Sequence, residues 1–149
     1  MLNTCAALEK SGFEVKYIGV DGGGYVDMEQ ARKLITPETA VVSVMAANNE
    51  VGTIQPIREL AALCRERGAL FHTDAVQAAG HIPLDVRELG CDMMSVSAHK
   101  LGGLRGAGLL YIRRGLELQP LICGGGQENG LRSGTENTAA IVSMGAAME

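Results

Sequence analysis

Asp92-Met93-Met94-Ser95-Val96-Ser97-Ala98-His99-Lys100 is the stretch on which the fold reading turns. Its apolar start reads as a buried strand over about Asp92–Ser97. A lysine stands just past that strand, with hydroxyls and an imidazole beside it. Glycines crowd the far side, in Leu101-Gly102-Gly103-Leu104-Arg105-Gly106-Ala107-Gly108. A strand end that delivers a lysine into a Gly-rich polar corner is where open α/β sheets bind small molecules. The same stretch also fits a surface lysine after an ordinary strand. The neighbouring segments decide between the two.

Upstream lie two more apolar runs of strand length. Ala40–Ala46 is nearly continuous, as expected of a strand covered on both faces, and the polar loop Asn48-Asn49-Glu50-Val51-Gly52-Thr53 follows it. Ala69-Leu70-Phe71-His72 is the second run, followed by Thr73-Asp74-Ala75-Val76-Gln77. Between them, Pro56 suits the first turn of a helix. Ile57, Leu60, Ala61 and Cys64 keep the i, i+3, i+4, i+7 spacing until Gly68. A short helical turn near Asp85–Leu89 precedes the third strand. Strand, helix, strand, short crossover, strand predicts a parallel sheet with right-handed connections. The link from Ser97 to Leu109-Leu110-Tyr111-Ile112 is about ten residues, too short for a helical crossover, so that strand should run antiparallel. The fold class is therefore α/β, a mostly parallel sheet sandwiched by helices.

The flanks carry weaker signals. Residues 2–11 read as a helix end with Gly12 just past it. Val15, Tyr17 and Ile18 indicate a short strand leading into the turn Asp21-Gly22-Gly23-Gly24. Asp27 caps a predicted helix to about Ile35, with Gln30 at the N3 place of a capping box and Met28, Ala31 and Leu34/Ile35 as its buried face. A Gly-rich loop around Gly124-Gly125-Gly126 leads to Arg132-Ser133-Gly134-Thr135 and a last helix from about Glu136.

Composition narrows the function classes. The 149 residues are 46% hydrophobic and 20% charged, which is globular rather than disordered. A net charge of −4 without a basic cluster argues against nucleic acid as a partner. No apolar run is long enough to span a bilayer, and residues 1–20 lack a signal-peptide pattern. The four cysteines, Cys5, Cys64, Cys91 and Cys123, form no CxxC pair, so neither a zinc site nor a disulfide framework is indicated. A reducing cytoplasm is the expected compartment.

Three consecutive parallel strands thus end in polar groups: Asn49, Asp74, and His99-Lys100. The residue types point to a reaction. A lysine held in a dry pocket has a lowered pKa and forms a Schiff base with an aldehyde. An aspartate on the neighbouring strand can keep a pyridine nitrogen protonated, which makes the ring an electron sink. Ser97, His99 and Thr135 offer donors to a phosphate, and Gln77 or Asn49 can bond a ring oxygen. Together they describe pyridoxal 5'-phosphate (PLP). Taken singly, Asp74 also fits a helix N-cap, His99 a structural histidine, and Gln77 and Thr135 solvated polar residues.

Four segments carry a family resemblance: Ser43–Pro56 (SVMAANNEVGTIQP), His72–Gly80 (HTDAVQAAG), Ser95–Lys100 (SVSAHK) and Gly124–Thr135 (GGGQENGLRSGT). In this order they resemble the signature segments of cysteine desulfurases of the NifS/IscS type. These are fold-type I PLP enzymes of the class V aminotransferase group. The resemblance implies that residues 1–149 are a single incomplete domain, the central part of the PLP-binding large domain, with the small C-terminal domain absent. It implies that Lys100 holds PLP and moves protons, that Asp74 pairs with the pyridinium nitrogen, and that Gln77 bonds the phenolic oxygen. Asn49 would lie beside the cofactor and substrate carboxylate, while Ser97 and His99 bind the phosphate. Thr135 would reach the phosphate of a neighbouring subunit, which implies a homodimer. The family reaction converts L-cysteine to L-alanine and leaves sulfur as a persulfide on a loop cysteine. A sulfur-acceptor or scaffold protein then takes it toward iron–sulfur clusters or thiolated cofactors.

This chain departs from the family pattern in places. Gly103-Leu104-Arg105-Gly106 stands where Gly-Pro-Lys-Gly is usual, and losing the proline should loosen that loop. Cys123 replaces a common histidine and Asn129 a common arginine. No cysteine matches the persulfide position, which the resemblance puts beyond Glu149 with the carboxylate-binding arginine. A phosphate-binding threonine and a ring-stacking histidine would precede Met1. The chain by itself is expected to show little or no activity. Two other readings fit the residues: another fold-type I lyase or aminotransferase for a small amino acid, and a non-catalytic binding or dimerisation fragment.

Overall fold

A computed structural model describes all of residues 1–149. Four strands form one sheet in the order β1 (Val41–Met45), β2 (Leu70–Asp74), β3 (Met93–Ser97) and β4 (Gly108–Ile112). The first three run parallel and β4 runs antiparallel to β3, with Ser97 opposite Gly108 and Met93 opposite Ile112. The short glycine link could not return the chain to the opposite end of the sheet, so β4 turns back beside β3.

Helix α3 (Ile57–Arg67) crosses between β1 and β2, and α4 (Val86–Leu89) between β2 and β3. Leu60, Ala61, Leu63 and Cys64 are buried along one stripe of α3, as helical periodicity requires. Gly68 ends it in the left-handed region (φ 77°), donating to Arg65 O at 3.2 Å. Asp85 starts α4 by accepting from Arg87 N–H at 2.8 Å.

Toward the amino end, α1 (Leu2–Lys10) is followed by Gly12, and α2 (Met28–Leu34) is capped by Asp27 Oδ1, which accepts from Gln30 N–H at 2.9 Å. Gln30 does not close the capping box. Its side-chain oxygen accepts from the Gly19 N–H instead, because Asp27 N–H already donates to Gly19 O at 2.9 Å. The strand expected at Val15–Ile18 does not form. No neighbouring backbone pairs with it, and only an isolated bridge between Val20 and Val26 closes the Asp21–Gly24 turn. The last helix, α5 (Thr138–Met148), starts later than Glu136 because Asn137 caps it, accepting from Ala140 N–H at 3.2 Å.

Alternation along the strands separates two faces. Val42, Phe71, Met94 and Val96 point to one face and join a buried cluster with Ala31, Leu60, Cys64 and Met144 of the helices. Ser43, His72, Asp74, Ser95 and Ser97 occupy the other face, on which Val41 is 53% and Leu110 46% exposed. Full burial of Ala40–Ala46 is therefore not observed. β1 lies at the sheet edge, and the burial cluster takes residues from only one side of it. No helix is long and apolar enough to cross a membrane.

Candidate functional site

The carboxyl edge of the parallel strands brings Asp74 and Ser97–Lys100 onto adjacent chain ends. Asp74 is the last residue of β2, in register with Met45 on β1 and Ser95 on β3. Its Oδ1 accepts from Val76 N–H at 3.0 Å, which shapes the turn out of the strand. No helix begins there, so capping does not account for Asp74. Its second carboxylate oxygen accepts no hydrogen bond from the chain and is free to receive a cationic donor.

Ser97 ends β3, and a single 3-10 turn, Ala98–Lys100, follows it. Ser97 Oγ lies 2.7 Å from His99 Nδ1. The turn is anchored by Ala98, which is fully buried. Ala98 O accepts from Leu101 N–H at 2.9 Å and Gly103 N–H at 3.0 Å, while its own N–H donates to Ala107 O at 3.1 Å. A side chain at Gly103 would meet Ala98 O at 3.2 Å and Ser143 O of α5 at 3.4 Å, so glycine permits this close passage. Lys100 and His99 themselves are exposed. These residues therefore do not form the dry pocket expected around Lys100.

The Leu104 departure has a structural counterpart. Leu104 N–H donates to Ser143 Oγ at 3.0 Å, tying the loop to α5. A proline has no N–H and could not make this bond. The loop is thus tethered rather than simply loosened. Asn129 adopts a left-handed conformation (φ 57°) in the 3-10 turn Glu128–Gly130, which asparagine tolerates better than most residues. Cys64 is buried on α3, and burial pushes its thiol up to about 11. Cys123 is exposed, with its thiol 3.7 Å from Pro120 O.

Asn49 is exposed in the loop after β1, its Nδ2 donating to Glu50 Oε1 at 2.6 Å. Asn48 shapes that loop by accepting from Glu50 N–H (2.9 Å) and Val51 N–H (3.0 Å). Gln77 is half-buried in the turn after Asp74. Thr135 is exposed, and no hydrogen bond joins it to Ser97, His99 or Lys100. Asp74 and the Ser97–Lys100 segment are therefore brought together by strand pairing, Asn49 and Gln77 lie on loops of the same edge, and Thr135 makes no hydrogen bond to any of them.

Two polar devices escape sequence reading. Gln55, only 8% exposed, accepts from Val26 N–H at 2.9 Å and donates to Gly24 O at 2.7 Å, clamping the Asn49 loop to the glycine turn. On the open face, His72 Nδ1 lies 2.8 Å from Ser43 Oγ and its Nε2 2.8 Å from Ser95 Oγ. Burial lowers the basicity of His72, partly offset by the Asp74 carboxylate. The available signal was a polar residue at alternate positions in three successive runs, Val-Ser-Val, Phe-His-Thr-Asp and Met-Ser-Val-Ser.

The pattern of the Aminotransferase class-V family matches residues 1–149. The chain belongs to the class-V aminotransferase family. It is 54% identical over 149 residues to a protein named cysteine desulfurase IscS from Clostridium botulinum, covering 100% of this chain and 38% of that protein. It is 50% identical over 151 residues to a mitochondrial cysteine desulfurase of Arabidopsis thaliana, 33% of whose length is matched. A solved NifS-like protein superposes with a TM-score of 0.95 at 48% identity, over 99% of this chain and 41% of the other. A structure of SspA in complex with cysteine gives 0.94 at 43% identity, over 99% and 43%. The chain thus spans well under half the length of these relatives. As a class-V aminotransferase segment, it presents an amine at Lys100, an unengaged carboxylate oxygen at Asp74, and a hydroxyl–imidazole pair at Ser97 and His99. These suit a carbonyl carbon, a ring cation and an anion, which are the functional groups of pyridoxal phosphate.

Proposed function

We propose that this chain is the central part of the PLP-binding domain of a cysteine desulfurase. The protein would convert L-cysteine to L-alanine and pass the sulfur to an enzyme thiol. The observation that carries the reading is 54% identity along the whole chain to a protein named cysteine desulfurase IscS. The pairing of Asp74 with Ser95, two residues from Ser97, supports it by putting an acid and a lysine-bearing turn on neighbouring strand ends.

When bound, PLP supplies an aldehyde and a protonated pyridine ring that withdraws electrons from the substrate's α-carbon. Lys100 would hold the group at its aldehyde carbon and then shuttle a proton with its freed amine. Asp74 would keep the ring nitrogen protonated through its unengaged oxygen, an opposite charge that favours the protonated form. Gln77 would donate to the phenolic oxygen. Ser97 and His99 would hold the phosphate as hydrogen-bond donors. Asn49 would lie beside the substrate carboxylate. Across the whole reaction, the cysteine Cβ–S bond breaks and the enzyme thiolate bonds to the departing sulfur. The Cβ gains a proton, so cysteine plus thiol gives alanine plus persulfide. The persulfide would serve an acceptor or scaffold protein that supplies iron–sulfur clusters or thiolated cofactors.

A homodimer completes the reading. Thr135 would contribute to the phosphate site of the other protomer, which accords with its exposure. Leu121 (97% exposed) and Val142 (71%) are apolar side chains that a second protomer would cover. The unpaired cysteines accord with a reducing cytoplasm.

The test uses the full-length protein with PLP and L-cysteine. The wild type is expected to show the visible absorbance of lysine-bound pyridoxal and to release alanine in step with sulfur. Lys100→Ala should lose both. An unchanged spectrum in the variant overturns the lysine assignment, and keto-acid-dependent transamination without sulfur release overturns the desulfurase reading.

A further inference from the structure

The β2–β3 ladder is the shortest in the sheet. It pairs only His72–Asp74 with Met93–Ser95, whereas β1–β2 and β3–β4 pair along all five residues of each strand. Yet β2 carries Asp74, and β3 carries Ser97 and the Lys100 turn. The relative position of these two strands sets the distance between the acid and the lysine. His72 sits at this junction. Its ring bonds Ser43 Oγ of β1 and Ser95 Oγ of β3, each at 2.8 Å. A neutral imidazole has one donor and one acceptor nitrogen, so one serine donates to the ring and the other accepts from it. The line crosses every strand that leads to a proposed site group: β1 to Asn49, β2 to Asp74, β3 to Ser97–Lys100.

Asp74 lies two residues beyond His72 on the same face, and its strand-register partner is Ser95, the hydroxyl that His72 holds. The tie therefore sits one step below the row that contains the acid. It also lies away from the apolar cluster, to which Ser43, His72 and Ser95 contribute nothing. A core-packing role does not explain three polar side chains hydrogen-bonded in a row on the open side of a parallel sheet.

We propose that His72 is a positioning residue, a transverse tie through Ser43 and Ser95 that sets Asp74 against the lysine-bearing end of β3. The proposal rests on the PLP reading of Asp74 and Lys100. Misplacing a reacting group by about 1 Å costs on the order of a hundredfold in rate, so slackening this junction should act on cofactor affinity and turnover more than on folding.

The experiment measures PLP dissociation constants, kcat and KM in the full-length protein for wild type, His72→Ala, His72→Gln, Ser95→Ala and the double variant. His72→Ala should weaken PLP binding about tenfold, equivalent to about 1.4 kcal/mol, and lower kcat while KM for cysteine changes less. His72→Gln keeps a donor and an acceptor and should recover most of the affinity. The double variant should be no worse than His72→Ala, since both break one line. Equal losses in the Gln and Ala variants, or wild-type affinity in both, would overturn the tie. If His72→Ala does not fold, Ser95→Ala and His72→Gln carry the test: wild-type affinity and kcat for Ser95→Ala sink the proposal. Failure of the PLP reading itself looks different, because the wild type would then show no lysine-dependent absorbance.

Discussion

The two faces of the sheet are built from the same strands and obey different chemistry. On one, Phe71, Met94 and Val96 pack against α3 and the helices around it. On the other, Ser43, His72 and Ser95 hydrogen-bond in a row, and Asp74 and Ser97 stand at the end of it. The apolar face stabilises by removing area from water, which is insensitive to direction. The polar face contributes little net energy per bond but fixes geometry, since a hydrogen bond weakens steeply with angle. One face holds the domain together while the other holds strand ends in place for chemistry.

That division predicts a graded set of outcomes. Phe71→Ala removes a fully buried ring and should cost about 3–5 kcal/mol in the denaturant unfolding of the full-length protein. Leu110→Ala, on the opposite face and 46% exposed, should cost about 1 kcal/mol or less. Equal costs at the two positions would break the comparison. Thr73 sharpens it from within the apolar face. Its hydroxyl is buried without a hydrogen-bond partner, so Thr73→Val should stabilise by about 1 kcal/mol. A lower unfolding midpoint in that variant would show that the hydroxyl is satisfied after all.

The smallest effect is the pH response of the open face. Burial lowers the His72 pKa below the ordinary histidine value, so the unfolded chain takes up the proton first. The stability from neutral His72 is complete above about pH 6.5 and is lost as pH falls from there through the lowered folded value. Unfolding midpoints measured across this range should fall more gently in His72→Gln than in the wild type. Parallel curves would remove His72 from the acid-side loss.

Much of this was legible locally. The helix stripe Leu60-Ala61-Cys64, the Asp27 and Asp85 caps, and the antiparallel return of β4 each follow from spacing within one short segment. Asp74 and Lys100 were legible because each follows directly on a strand. Val15–Ile18 failed as a strand for the opposite reason: its residues favour extension, but extension becomes a strand only with a neighbour to pair with. The run Ala40–Ala46 looked buried on both faces because its apolar content hides the alternation at Ser43. Gln55 was invisible, and the His72 line showed only as polar residues at alternate positions in three runs, because their partners lie in other segments. Gly24 and Val26 precede Gln55 by a turn, a helix and a strand, and Ser43 and Ser95 lie on strands either side of His72.

The sequence by itself determined the order of elements, the parallel-then-antiparallel sheet and the family resemblance, because periodicity, caps and strand-end motifs are short-range properties of the chain. Only the tertiary structure decided which face of that sheet is packed, that Leu104 ties the glycine loop to α5, and that His72 spans three strands. Those outcomes depend on which side chains meet across the sheet, and distance along the chain carries no record of that.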